Sequence, residues 1–192
     1  MSVREVAVDA YREALPVLGV SAVGGLFAGM ILGGMNAELK GVAGLLVLVP
    51  ALLATRGNVY GALGAKLSSA LHQGLVDPVF DADDDRLVAA VTAAMANGVL
   101  VSVFAAVVAF LVLFLLSRPS ASLLTLTAIA FIAGLLSGIA LTVVVVFAVF
   151  IGYRRGLNPD TLVGPVVTTT GDVFGMATLL IATRLVLTLG GG

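Results

Sequence analysis

The sequence predicts an all-α integral membrane protein with five transmembrane helices, on three observations. Of its 192 residues, 60% are hydrophobic and 11% charged, with a mean hydropathy of +1.17, far from the makeup of a water-soluble domain. Five stretches reach the roughly 20 apolar residues that a spanning helix needs. The connections between them are short, and nothing resembles a flexible linker or a second globular unit.

The spans are read at about 14–35, 42–72, 87–117, 122–152 and 160–189. Several exceed the minimum length, which implies tilt or extension past the lipid rather than extra crossings. Residues 1–13 are read as an amphipathic lead-in helix, because Glu5, Asp9, Arg12 and Glu13 recur at helical spacing opposite Val3, Ala7 and Ala10. They lack the basic-then-apolar order of a signal peptide, so the first span is expected to be retained. Residues 14–192 then form one five-helix transmembrane domain. In the first span Gly25, Gly29 and Gly33 are spaced by four, as are Gly134 and Gly138 in the fourth. Such small-residue faces permit close helix packing in lipid. The second span carries Pro50 and a smooth face of Gly57, Gly61, Gly64 and Ser68. Before the third, Asp77, Asp81, Asp83, Asp84 and Asp85 make an acidic loop, read as a solvated turn and helix N-cap. Asn158-Pro159-Asp160 reads as the cap, first helical position and first-turn acid of the fifth span.

Five crossings put the termini on opposite sides. A cytoplasmic N-terminus places Arg4, Arg12, Arg86, Arg154 and Arg155 inside, against Lys40, Arg118 and Arg184 near the outer ends. The positive-inside rule favours that orientation. The expected location is thus the cell membrane, multi-pass, with the lipid bilayer as partner.

Composition excludes several function classes. A net charge of −1 without a basic tract gives no footprint for nucleic acid. The absence of cysteine removes disulfides, iron–sulfur clusters and thiolate zinc sites, and a single histidine cannot make a histidine-rich metal site. No nucleophile–base pair, phosphate loop or catalytic carboxylate pair is present, so no enzymatic activity is expected.

Two interrupted spans carry the chemistry. Asp172 lies roughly 20 Å along the fifth helix, past the middle of a ~30 Å hydrocarbon core. An ionisable group at that depth is costly and marks a functional site. Its neighbours Thr168, Thr169, Thr170 and Gly171 offer oxygens rather than a basic partner, although threonines in helices also bond back to their own backbone. Pro165 removes an amide donor one turn below, and Thr168, Asp172 and Gly175 share a helical face. In the second span Pro50 frees a carbonyl and Gly57-Asn58 weakens the helix at comparable depth. Irregular backbone there must be buried in protein or line a watery cavity. Carboxylate, hydroxyl, amide and carbonyl oxygens form a hard-ligand set for Mg²⁺, Mn²⁺ or Ca²⁺. Mg²⁺ retains much of its water and suits a sparse site best. One carboxylate half neutralises a divalent ion, and a twofold homodimer would supply the second. Lys66 and His72 are expected to reach the inner interface. Arg56, beside Gly57-Asn58, has two readings: it snorkels or it pairs with an acid.

At these residues the chain resembles the membrane domain of the MgtE family of magnesium channels and the related eukaryotic solute-carrier magnesium transporters. Val49-Pro-Ala-Leu-Leu-Ala-Thr-Arg-Gly-Asn58, continuing through Gly64-Ala-Lys-Leu-Ser-Ser69, is similar to the family's second-helix motif. Gly156-Leu-Asn-Pro-Asp160, Gly164-Pro-Val-Val-Thr-Thr169 and Asp172-Val-Phe-Gly175 are similar to its final-helix motif. The resemblance implies an MgtE-like five-helix fold, with Asp172 as the central pore acid facing hydrated Mg²⁺. It also implies Thr168, Thr169 and Gly171 nearby, Asn58 on the pore-lining second helix, and a conduit at a homodimer interface. The bacterial channels' cytoplasmic sensing domains have no counterpart in this stretch, so gating by that route is not expected of it. The second helix looks closer to the solute-carrier branch. A homodimeric divalent-cation channel or transporter, most simply for Mg²⁺, is therefore the expected function. The alternatives are a Na⁺- or H⁺-coupled divalent-cation exchanger and a non-transporting membrane scaffold in which the same polar residues only join helices.

Overall fold

Apolar sequence in lipid becomes helix because each backbone amide must find its partner within the segment. The computed structural model, which describes residues 3–156 and 159–190, follows that rule. Its helices are α1 (Val3–Gly34), α2 (Asn36–Gly41), α3 (Leu45–His72), α4 (Asp85–Leu115), α5 (Leu123–Arg154) and α6 (Pro159–Gly190). All regular structure among the described residues is helical. Four segments are long and apolar enough to cross a membrane: α3, α4, α5 and α6 from Val163 onward. Within α1 the apolar run is shorter, Leu18–Gly34. The chain is a multi-pass, all-α membrane protein.

The second helix, α2, has no apolar period to announce it. It makes an elbow between α1 and α3, and α3 starts after Gly44, whose φ of 94° lies in the left-handed region that a side chain resists. A Cβ there would also stand 2.7 Å from Leu113 Cδ1. The Ala121 amide donates to the Ala43 carbonyl (2.8 Å), tying this elbow to the α4–α5 connection. At the other end, Asp84 caps α4 by accepting from the amides of Arg86 (2.9 Å) and Leu87 (3.2 Å). Asp81 Oδ1 accepts from the Asp83 amide (2.9 Å), so two of the loop's acids serve its own turn and cap. Ser122 caps α5 in the same way through the Thr125 amide (3.1 Å). The proposed Asn158 cap lies outside the described residues.

α5 is the centre of the bundle, packed against α3, α4 and α6, while α1 joins chiefly through α6. Its buried side is built from Ala130, Ala133, Gly134, Ser137, Gly138 and Leu141, and α4 presents Ala90, Ala94, Gly98, Ser102 and Ala106. Small residues let the backbones approach where lipid supplies no hydrophobic drive. Each glycine gap admits a defined group: Ser102 fills the space at Gly134, and the Tyr60 hydroxyl sits where a Cβ on Gly98 or Gly138 would lie 2.6 Å away. The expected packing face at Gly25, Gly29 and Gly33 differs. Within one chain these three are exposed and have no neighbour at the Cβ position, whereas Gly24, rotated by one residue, meets Thr169 of α6.

The core divides into two apolar clusters. One gathers Leu48, Leu52, Ala106, Ile129, Ala133 and Met176, the other Tyr60, Leu63, Leu67, Leu141, Val145 and Val167. Between Leu52 and Tyr60 on α3, Ala133 and Leu141 on α5, and Val167 and Met176 on α6 lies a polar middle layer. It contains Arg56, Asn58, Ser137, Thr168–Thr170 and Asp172.

Candidate functional site

The site begins with the register of α3 against α6. Gly64 receives Val163, and Gly175 receives Leu53 and Arg56, so the two helices run antiparallel. In that register Asn58 and Asp172 stand within one helical turn, ~5 Å, of the same level. Asn58 and Thr168 are exposed and Asp172 is partly so. Towards the C-terminal end of α3 the same side of the α3–α6 pair opens into a groove of about 650 Å³ lined by Gly61, Ala65, Ser68, Ser69, His72 and Gly164. On α3, Asn58, Gly61, Ala65 and His72 follow one another at three, four and seven residues, a single helical stripe. On α6 the matching stripe is Gly164, Thr168 and Asp172, spaced by four.

The other two sequence-predicted residues turn inward. Thr169 donates to Ser21 Oγ of α1 (3.0 Å) and holds α1 against α6. Gly171 is buried, and a Cβ there would face Leu141 of α5 at 4.0 Å. Asp172, Thr168 and Asn58 thus share the open side, with Thr169 and Gly171 forming the packed back of the same helical turn. Thr168 donates to the carbonyls of Gly164 (3.0 Å) and Pro165 (3.2 Å), and Thr170 to that of Val166. A hydroxyl whose proton is used this way keeps its oxygen lone pairs for an incoming donor, such as the water of a hydrated cation. Pro165 inside α6 lacks the N–H that would engage the carbonyl one turn earlier.

Asp172 makes no hydrogen bond or ion pair among the described residues, where Glu38–Arg184 is the one salt bridge. Nor does any group of three or more His, Asp or Glu side chains assemble there. The chain therefore offers one unpartnered carboxylate flanked by hydroxyl, amide and open backbone. Oxygen groups of this kind are chemically suited to a hard cation that keeps its water.

Sequence reasoning left Arg56 without a role, and the structure gives it a place. It does not snorkel, being 2% exposed. Its Nε donates to Ser137 Oγ (2.7 Å) and Nη2 to the Ala133 carbonyl (3.3 Å), both on α5. A charge inside an apolar span was the available signal, but its facing depends on how α3 rotates against α5. His72 was expected at the interface; it is exposed at the groove mouth, with Nδ1 donating to the Ser68 carbonyl (2.8 Å) and its ring edge-on to Tyr153 (5.5 Å).

Comparison with known proteins bears on these two helices together. The model of the MgtE family, described as a divalent cation transporter, matches residues 49–182, from the residue before Pro50 to about two turns beyond Gly175. The chain belongs to the MgtE family. Among curated relatives, solute carrier family 41 member 2 of Mus musculus is 29% identical over 169 residues, 83% of this chain and 28% of that protein. Its Xenopus laevis counterpart is 30% identical over 146 residues, 73% of this chain and 25% of the relative. Solute carrier family 41 member 3 of Rattus norvegicus is 26% identical over 173 residues, 88% and 37% respectively. The chain spans about a quarter of the length of the member 2 relatives it matches. Within MgtE terms, the matched stretch contains the α3 and α6 stripes and the polar middle layer.

Proposed function

We propose that this chain is the membrane domain of a divalent-cation transporter that carries hydrated Mg²⁺ across the cell membrane, with Mn²⁺ and Ca²⁺ as competing ions. Two copies complete the conduit, and the N-terminus is cytoplasmic. The observation that carries this reading is the unpartnered Asp172 carboxylate, which opens with Thr168 and Asn58 onto an uncovered face of α3 and α6. A divalent ion beside one carboxylate is half neutralised. A second copy across a twofold axis supplies the missing charge and closes the open face. Residues 14–192 form the transport unit, and 1–13 lead into it along the membrane surface. The family description of a divalent cation transporter supports this reading.

Selectivity in this scheme comes from charge density at a site that leaves the ion's water in place. Asp172 attracts the ion, while the Thr168 hydroxyl and the Asn58 amide accept from its water shell. Near the cytoplasmic end the groove at Gly61, Ala65 and His72 gives the hydrated ion room to leave. Replacing Asp172 by Ala is expected to lower Mg²⁺ flux into reconstituted vesicles at least ~tenfold, the scale of losing a charge-assisted contact. Undiminished flux in a correctly assembled variant would sink the proposal. The chain has no cysteine, so a lone Thr168→Cys variant reports pairing directly. An oxidised cross-linked dimer is expected, and a chain that stays monomeric counts against the shared conduit.

A further inference from the structure

Arg56 is a buried guanidinium at membrane depth whose full bonding capacity is not used. Its Nε and Nη2 are held from behind by α5, through Ser137 Oγ (2.7 Å) and the Ala133 carbonyl (3.3 Å). Among the described residues its Nη1 has no hydrogen-bond partner, and it points at α6. There the absence of a side chain at Gly175 admits it, since a Cβ at that position would lie 2.7 Å from Nη1. Gly175 is three residues beyond Asp172, one turn along the same helix.

Two isolated ions thus occupy neighbouring turns of the polar middle layer. Asp172 is the single acid within the apolar part of any span, and among the described residues it forms no salt bridge with Arg56. A buried cation without a counter-ion is strongly disfavoured in lipid, as is a carboxylate alone. One turn apart they offset each other through space, while the carboxylate oxygens stay free because α5 restrains the guanidinium. We propose that Arg56 is a fixed counter-charge that sets how tightly Asp172 holds a cation and which cations it retains.

This inference rests on the proposed cation site and adds a term to it. A bare pair of carboxylates would hold any cation, including the abundant monovalent ones. A guanidinium one turn behind each carboxylate subtracts a nearly constant share of the attraction. A monovalent ion then gains too little to stay. A divalent ion, with twice the charge, is still retained, but weakly enough to leave, as conduction requires.

The test uses Mn²⁺ alone as the probe, its binding to the purified full chain in lipid nanodiscs followed by electron paramagnetic resonance. Competition is measured with NaCl, and choline chloride controls for ionic strength. In Arg56→Gln, Mn²⁺ binding is expected to tighten ~tenfold, because a repelling charge is removed, and Na⁺ is expected to compete where it did not before. In Arg56→Lys, which keeps the charge, affinity should stay within about threefold of the parent. Equal affinities and equal Na⁺ sensitivity in all three proteins, or the same shift in both variants, would overturn the proposal in favour of a packing role. Asp172→Asn separates this failure from that of the site itself. If it still binds Mn²⁺ as the parent does, the cation site and this inference fall together. If it loses binding while the Arg56 variants match the parent, this inference alone falls. Should Arg56→Gln not assemble, Gly175→Ala keeps the charge but pushes Nη1 away from α6. Tighter Mn²⁺ binding is expected there, and unchanged binding overturns the proposal.

Discussion

Two arginines in this bundle, Arg184 near the end of α6 and Arg56 in the middle of α3, are handled in opposite ways. Arg184 donates from Nε to Glu38 Oε1 (2.7 Å), and its side chain is 63% exposed, so water shares the work of solvating the charge. Arg56 is 2% exposed and, among the described residues, has only a hydroxyl and a carbonyl as partners. The rim pair is a clasp that fastens the α2 elbow to α6, whereas the middle layer keeps a cation and an anion apart. Burial without pairing is expensive. The difference teaches that a charge at the rim is solvated by a partner and water, whereas in the middle layer Arg56 and Asp172 stay unpaired with each other, as the proposed counter-charge role requires.

The comparison can be broken most severely at Ser137. Ser137→Ala leaves the Arg56 Nε buried without its acceptor, and a loss of about 2 kcal/mol in unfolding free energy is expected from a missing bond to a charged group. Denaturant titration in detergent reads it directly, and an unchanged midpoint would mean that α5 does not restrain the guanidinium. A smaller effect is expected at the next residue, where Gly138→Ala sets a Cβ against the Tyr60 hydroxyl. The cost should be about 1–2 kcal/mol, typical of mild overpacking. Adding Tyr60→Phe removes the clashing oxygen, which has no hydrogen-bond partner among the described residues, so the double variant should recover most of the stability. No recovery would show that backbone displacement, rather than this contact, sets the cost.

The smallest effect belongs to the rim. The hydrogen bond from Arg184 holds the Glu38 carboxyl below its ordinary 4.5. Its contribution to stability is therefore complete above the unfolded value and fades as pH falls from about 4.5 through the lower folded value. Thermal melts of the parent and Glu38→Gln should differ slightly at neutral pH and converge in acid. A gap that persists in acid would assign the effect to packing of the α2 elbow. High salt should shrink the neutral-pH gap, because the arginine is exposed.

Much of this was legible in the sequence as spacing, and little of it as phase. Four of the spans follow from hydropathy to within a few residues, since lipid leaves long apolar runs no alternative to helix, whereas α1 already begins at Val3, eleven residues ahead of the first span as read. Asp84 and Pro159 announce helix starts through local chemistry. By contrast, α2 is six residues without an apolar period, and its existence depends on the elbow it must make. The four-residue glycine spacing in α1 is real, yet the residue that packs is Gly24 and not Gly25, a rotation of ~100° that only a neighbouring helix decides. The same holds in α3, where Arg56 and Asn58 are two residues apart and face opposite environments. Asp172 stood out because a lone acid in apolar sequence is costly wherever it faces. Arg56 was equally costly, but its meaning came from Gly175, more than a hundred residues away.

The row of exposed apolar side chains on α5 has a mechanical corollary. Phe131, Leu135, Ile139, Val143, Phe147 and Ile151 are exposed at every fourth position, and pairs such as Ala133-Gly134 and Leu141-Thr142 are buried between them. A four-residue period overshoots the 3.6-residue turn by ~40° each step, so this row winds roughly 200° around the helix over its length. A helix that stays in contact while its outward side winds in this manner must cross its neighbours obliquely. α5 is accordingly a diagonal brace, bearing on one cluster of the core at its start and on the other at its end.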